Sequence, residues 1–216
     1  MLVIIDSLDR LYPSLEIDLF KYNGDNLKRL KCHFIYVVPV SLLYDPSARL
    51  LPFDDPLIMP TIPVLHRDGS PNEVSINLLR EVLGKRFVLD VILTRPEETS
   101  REFILASGGH IRDLIRMLFG ACVEVEPTDK INIKVARKMI NRLGEDYDRT
   151  IKNHQYKYLV DTHETKEVSI NEDTQNLIYH TQILVYRDPD ERGWKDVHPA
   201  LVNTSKFQRL LKEREG

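Results

Sequence analysis

Leu2-Val3-Ile4-Ile5-Asp6-Ser7-Leu8-Asp9-Arg10 is the stretch on which the reading of this chain turns. Four apolar residues, three of them β-branched, favour a short strand. A carboxylate follows at the strand's C-terminal end, and a second comes three residues later. At the rim of a parallel sheet, a carboxylate in that place can hold a divalent cation beside a phosphate. The plainer reading is a buried strand, then an N-cap and a helix, since a hydrophobic strand ending in Asp is a common arrangement.

Working outward, residues 14–30 place Leu15, Leu19, Leu27 and Leu30 around a break at Asn23-Gly24, which predicts helix, turn, helix. The continuous apolar run from Cys32 to Val38 predicts a second buried parallel strand, ended by Pro39. Five of the chain's twelve prolines fall between residues 45 and 63, so that window reads as a long irregular connection. Thr61 to Leu65 reads as a third strand. Ser70 as N-cap, with Pro71 and Glu73 behind it, opens a helix carrying Ile76, Leu79, Val82 and Leu83 to Gly84. Thr99 and Glu102 read as a second capping box, opening a helix to Ala106. Ser107-Gly108-Gly109 interrupts, and a further helix carries Ile111, Leu114, Ile115, Leu118 and Cys122.

From Pro127 onward, Ala136, Met139, Ile140, Leu143 and Tyr147 form one helical stripe. Tyr156–His163 and Glu172–Tyr179 read as two more helices. Two strand-like runs, 182–187 and 194–197, follow around the turn-rich loop 188–193. Three short helices and a hairpin are the layout of a winged helix, and the charged tail 203–216 reads as prone to fray.

The net charge is −3, so nothing global draws the chain to nucleic acid or to anionic membrane. Apolar residues make 42% of the chain and charged residues 29%, the balance of a soluble globular protein. Cys32 and Cys122 sit in apolar stretches and read as reduced core residues of a cytoplasmic protein. No apolar run approaches membrane-spanning length. The chain opens almost inside a strand, which reads as an internal or artificial start.

The residues 2–10 resemble the Walker B segment of P-loop NTPases, in the hhhhD-x-x-D-R form of signal-transduction and AAA+ type ATPases. No G-x-x-x-x-G-K-[ST] phosphate loop occurs in the chain. Ser107-Gly108-Gly109-His110-Ile111-Arg112-Asp113 is similar to the sensor 2 segment of origin-recognition-type AAA+ ATPases. Taken in order, these motifs resemble the C-terminal part of an AAA+/STAND-like P-loop ATPase, and the resemblance covers nearly all of the chain.

That resemblance implies an α/β fold: a partial parallel P-loop NTPase-type sheet at 1–68, a helical lid at 69–126 and a winged-helix-like domain at 127–216. It implies a nucleotide-dependent switch with ATP and Mg²⁺ as cofactors in the complete protein. Asp6 would contact Mg²⁺ through a coordinated water, and Asp9 would back it or orient water. Ser7 stands where a glutamate is usual, which argues against fast hydrolysis. Ser41, past the second strand, would sense phosphate. Arg112 would approach the phosphates from the lid, assisted by Arg116 one turn on. Lacking a phosphate loop, this chain alone should bind ATP poorly, and the codons upstream of Leu2 are where such a loop would be found.

The same residues carry plainer readings: an ordinary strand end at Ser41, and a Gly-Gly bend with two surface arginines at 107–116. Lys134, Arg137, Lys138 and Arg142 make a basic helical face that could meet DNA phosphate, though Glu145, Asp146 and Asp148 dilute it and a solvated face is the commoner outcome. Trp194 and His198 read as packing residues of the hairpin, and no His/Cys spacing suggests a metal site. The competing class is a non-enzymatic module that binds a protein partner, or DNA, through the winged helix.

Overall fold

In the computed structural model, which describes residues 1–187 and 193–215, the chain is α/β: mostly helical, with a parallel strand pair and a separate antiparallel pair. In chain order the elements are β1 (Leu2–Ile5), α1 (Pro13–Ile17), α2 (Gly24–Lys28), β2 (His33–Tyr36), α3 (Glu73–Gly84), α4 (Leu89–Ile92), α5 (Pro96–Ala106), α6 (Ile111–Glu124) and α7 (Ile133–Asp148). They continue with α8 (Tyr156–Thr165), α9 (Glu172–Tyr179), β3 (Ile183–Arg187), β4 (Gly193–Val197), α10 (Pro199–Val202) and α11 (Ser205–Glu215). Two compact units form: 1–59 with 168–183, and 60–167 with 184–216. Helix α9 therefore belongs to the first unit, whereas α7, α8 and the hairpin from Leu184 onward belong to the second. Most of the hairpin loop, 188–192, lies outside the described residues.

In the first unit β1 and β2 run parallel, with Leu2 opposite His33 and Ile4 opposite Ile35. Side chains alternate across a strand. One face, bearing Phe34 and Tyr36, is half-buried against an aromatic cluster; the Tyr36 ring lies 5.8 Å from Phe20 and 5.9 Å from Phe53. The other face is open: Leu2 is 58%, Ile4 61% and Ile35 49% exposed. The strands predicted as fully buried are therefore covered on one side only, because a two-stranded sheet has no layer over its second face. Helix α1 continues into a π-wound turn, Asp18–Tyr22, that seats Phe20. Helix α9 packs Leu177 and Ile178 toward the 3₁₀ turn Val40–Tyr44 and its buried Leu42.

The second unit has a closed core built on α3, α5, α6 and α7, including Ile76, Leu79, Phe103, Leu118 and Ile140. Helix α3 ends at Gly84 as predicted, but its cap is Asn72, whose side chain accepts from Ser75 N at 3.2 Å. Ser70 instead donates its hydroxyl to Asp68. Helix α5 opens at Pro96, not at Thr99, which is buried inside it. Proline at the first turn with Glu97 and Glu98 beside it suits the N-terminal end of the helix dipole. Residues 61–65 form no strand. Thr61 N donates to Val185 O at 2.9 Å and Leu65 makes one isolated bridge to Pro71. Pro60 and Pro63 have no N–H to extend a ladder.

The Gly-Gly interruption between α5 and α6 is real. Both glycines take positive φ, and a Cβ on Gly109 would lie 1.8 Å from Ile62 O. The hairpin docks on this turn. Trp194 stacks on Tyr186 at 4.2 Å, and the Tyr186 hydroxyl donates to Gly108 O at 2.8 Å. Cys32 and Cys122 are free but half-buried, not core residues. No helix among the described residues is long and apolar enough to cross a membrane.

Candidate functional site

Asp6 follows the last residue of β1, so its carboxylate stands at the C-terminal end of a parallel strand. It is exposed and accepts one hydrogen bond, from Ser7 N at 2.6 Å. Ser7 adopts φ +67, a left-handed conformation that a non-glycine residue rarely takes and that costs about 1 kcal/mol or more. Asp9 is half-buried in the short 3₁₀ turn Leu8–Arg10 that follows. Ser41 belongs to the same unit but is fully buried, and its hydroxyl has no hydrogen-bond partner among the described residues. A single exposed carboxylate is the donor Mg²⁺ ordinarily takes from a protein, since that ion keeps most of its waters and takes other oxygens from phosphate.

Arg112 and Arg116 belong to the second unit. Arg112 is exposed in the first turn of α6, with no carboxylate within ion-pair distance among the described residues. Arg116 is committed to Asp146 at 3.1 Å. The first-turn N–H groups of α6 add donors of the kind that favour an anion, although no side chain caps this end.

Just inside α6 lies a buried polar cluster. Asp113 is 4% exposed. It faces His110 Nδ1 at 2.7 Å, the Tyr147 hydroxyl, and His198 Nε2 at 3.4 Å. Burial alone would raise its pKa. The hydrogen bonds from His110 and Tyr147, with the His198 ring close beside them, overcome that and hold the carboxyl well below the usual range. His198 is wholly buried and its pKa is lowered, chiefly by that burial. Its Nδ1 accepts from Ala200 N at 3.2 Å, so the neutral ring carries its proton on Nε2, toward Asp113. His198 is thus a structural residue that caps α10, the packing role read from the sequence. The motif reading of this segment singles out Arg112, not Asp113. The available signal was its spacing: Asp113 lies one turn before Met117, on the stripe that Leu114, Leu118 and Ala121 bury.

Lys134, Arg137, Lys138 and Arg142 all lie exposed on α7. Arg137 pairs with Glu102 at 3.3 Å, and Lys138 pairs with Glu124. Lys134 and Arg142 have no carboxylate partner among the described residues. The face is therefore partly neutralised by acids from α5 and α6.

Comparison with protein-family models, with curated proteins and with solved structures found no match to this chain. Fold geometry and side-chain chemistry alone carry the functional reading.

Proposed function

We propose that this chain is the C-terminal part of an ATP-dependent molecular switch, in which Asp6 contributes to Mg²⁺ binding and Arg112 to phosphate binding. The observation that supports this most is Asp6: an exposed carboxylate at the C-terminal end of a parallel strand, followed by a strained residue, in a sheet with one apolar face uncovered. Parallel sheets are normally covered on both faces, so the open face of this one has room for a further packed layer. When bound, ATP would supply the phosphate charge and Mg²⁺ would neutralise part of it. Asp6 would hold a metal-bound water, and Arg112, with no carboxylate partner among the described residues, would offer its planar donors to the phosphate. With Ser7 where a catalytic glutamate is usual, binding and release of nucleotide, more than rapid hydrolysis, would set the state of the protein.

The test is binding of a fluorescent ATP analogue, with Mg²⁺, to the natural polypeptide that contains these residues. The parent, Asp6→Ala and Arg112→Ala are compared. Each variant should bind at least about tenfold more weakly, equivalent to about 1.4 kcal/mol. The isolated chain, lacking a phosphate loop, should bind poorly. Equal affinity in all three proteins, or tight binding by the isolated chain, would overturn the proposal.

A further inference from the structure

Within the second unit, α6 and α7 run antiparallel, as the pairs Arg116–Asp146 and Glu124–Lys138 show. Between them lies a shallow groove of about 360 Å³. Its floor is apolar: Met117, Met139 and Leu143 are at most 5% exposed. Its α6 wall carries Phe119 and Val123, one helical turn apart, at 62% and 72% exposure. Gly120 between them adds no side chain, so the floor stays open.

The carboxylates lining the groove are already committed. Glu124 is paired with Lys138, and Asp146 with Arg116 and Arg149. The uncommitted charge is positive. Arg142 lines the groove, and Lys134 lies two turns before it on α7; neither has a carboxylate within ion-pair distance among the described residues.

We propose that this groove docks an amphipathic helix from a partner protein, with apolar anchors against Phe119 and Val123 and carboxylates toward Arg142 and Lys134. An antiparallel helix pair with an apolar trough is the surface that the helix-in-groove mode of recognition uses. Free cations beside committed anions select an acidic partner. Nucleic acid is a poorer fit. Phosphates gain nothing from Phe119 and Val123, and Arg137 and Lys138 are already neutralised. A second copy fits less well too, because the exposed start of α6 would bring the unpaired Arg112 toward the groove's free Arg142. This proposal stands apart from the nucleotide reading and uses different residues.

The test is fluorescence anisotropy of a labelled amphipathic peptide of about eighteen residues, five helical turns, with leucines at i, i+3, i+4 and i+7 and glutamates elsewhere. A lysine-for-glutamate peptide and a scramble of the same composition serve as controls. The acidic amphipathic peptide should bind, and both controls should bind at least about tenfold more weakly. The double variant F119D/V123D, and separately R142E, should each weaken binding by at least about tenfold with melting curves unchanged; all three side chains are exposed, so folding is spared. Equal binding of a control peptide, no binding of any peptide, or indifference to both variants would overturn the proposal. So would displacement of the peptide by a mixed-sequence DNA duplex, or self-association in sedimentation that the same variants abolish.

Discussion

The two units hide their apolar surface to very different degrees. Of the twenty large apolar side chains left exposed among the described residues, thirteen belong to the first unit, although it is much the smaller. Of the twelve largest fully buried side chains, eleven belong to the second, and Leu177 alone belongs to the first. Both units are rich in Leu, Ile and Val, so composition does not make the difference. Architecture does. Antiparallel helices with matched stripes close on one another, whereas a pair of parallel strands needs layers on both faces. The second unit therefore closes a core of its own, and the first leaves apolar surface exposed.

The largest effect expected is a cavity in the second unit. Leu118 is 0% exposed in its core, and Leu118→Ala should cost about 3–5 kcal/mol in urea unfolding. A loss below about 1 kcal/mol would mean that this core is far looser than its burial implies. Next comes Gly109→Ala, where φ of +83 and a carbonyl 1.8 Å from the new Cβ act together. The expected cost is about 3 kcal/mol, with the 62–65 segment and the α5–α6 turn losing amide-exchange protection first.

The buried Asp113 cluster ranks third. Asp113→Asn should cost about 2 kcal/mol near neutral pH, since it keeps the shape and loses the charge that the histidines and Tyr147 satisfy. The pH dependence has a defined sign. The folded-state pKa of Asp113 lies below its unfolded value of 3.8, so its stabilisation is present above that pH and is lost as pH falls below it. His198 is held neutral by burial, below its unfolded value of 6.5, so its contribution begins to fall away under that pH. The parent protein should lose stability in two stages on acidification, from about pH 6.5 and again below about pH 4. Asp113→Asn should flatten the second stage. An unchanged acid limb in that variant would remove Asp113 from the account.

Much of this was legible in the sequence, and the parts that were not share a cause. Short apolar runs located β1 and β2, and period-3.6 stripes located α6 and α7, because those signals are local. The cap of α3 was misplaced by two residues because Ser70, Pro71 and Asn72 all suit a helix start, and only the Asp68 side chain decides between them by holding Ser70. The pattern of α9 shows that Leu177 and Ile178 are buried, but not that they pack toward residues 40–44, more than a hundred positions earlier. At the candidate site, Asp6 and Arg112 were readable as residue types in a motif. The commitment of Arg116 to Asp146 was not, because it joins two helices thirty residues apart.

The smallest effect expected is the sharpest test of the contrast. Ile4 and Ile35 face each other on the open side of the sheet, 61% and 49% exposed. Buried isoleucines would lose more than 1 kcal/mol each on conversion to a polar residue. Exposed ones should lose almost nothing, and threonine keeps the β-branched shape that a strand favours. The double variant Ile4→Thr/Ile35→Thr should therefore unfold within about 0.5 kcal/mol of the parent. It should also self-associate less in light scattering, because exposed apolar patches drive association. A loss above about 2 kcal/mol would mean that the open face is covered in solution by the chain itself, and the contrast between the units would collapse. An unchanged stability with reduced association would instead leave the face as an open apolar surface, the observation on which the proposal for Asp6 draws.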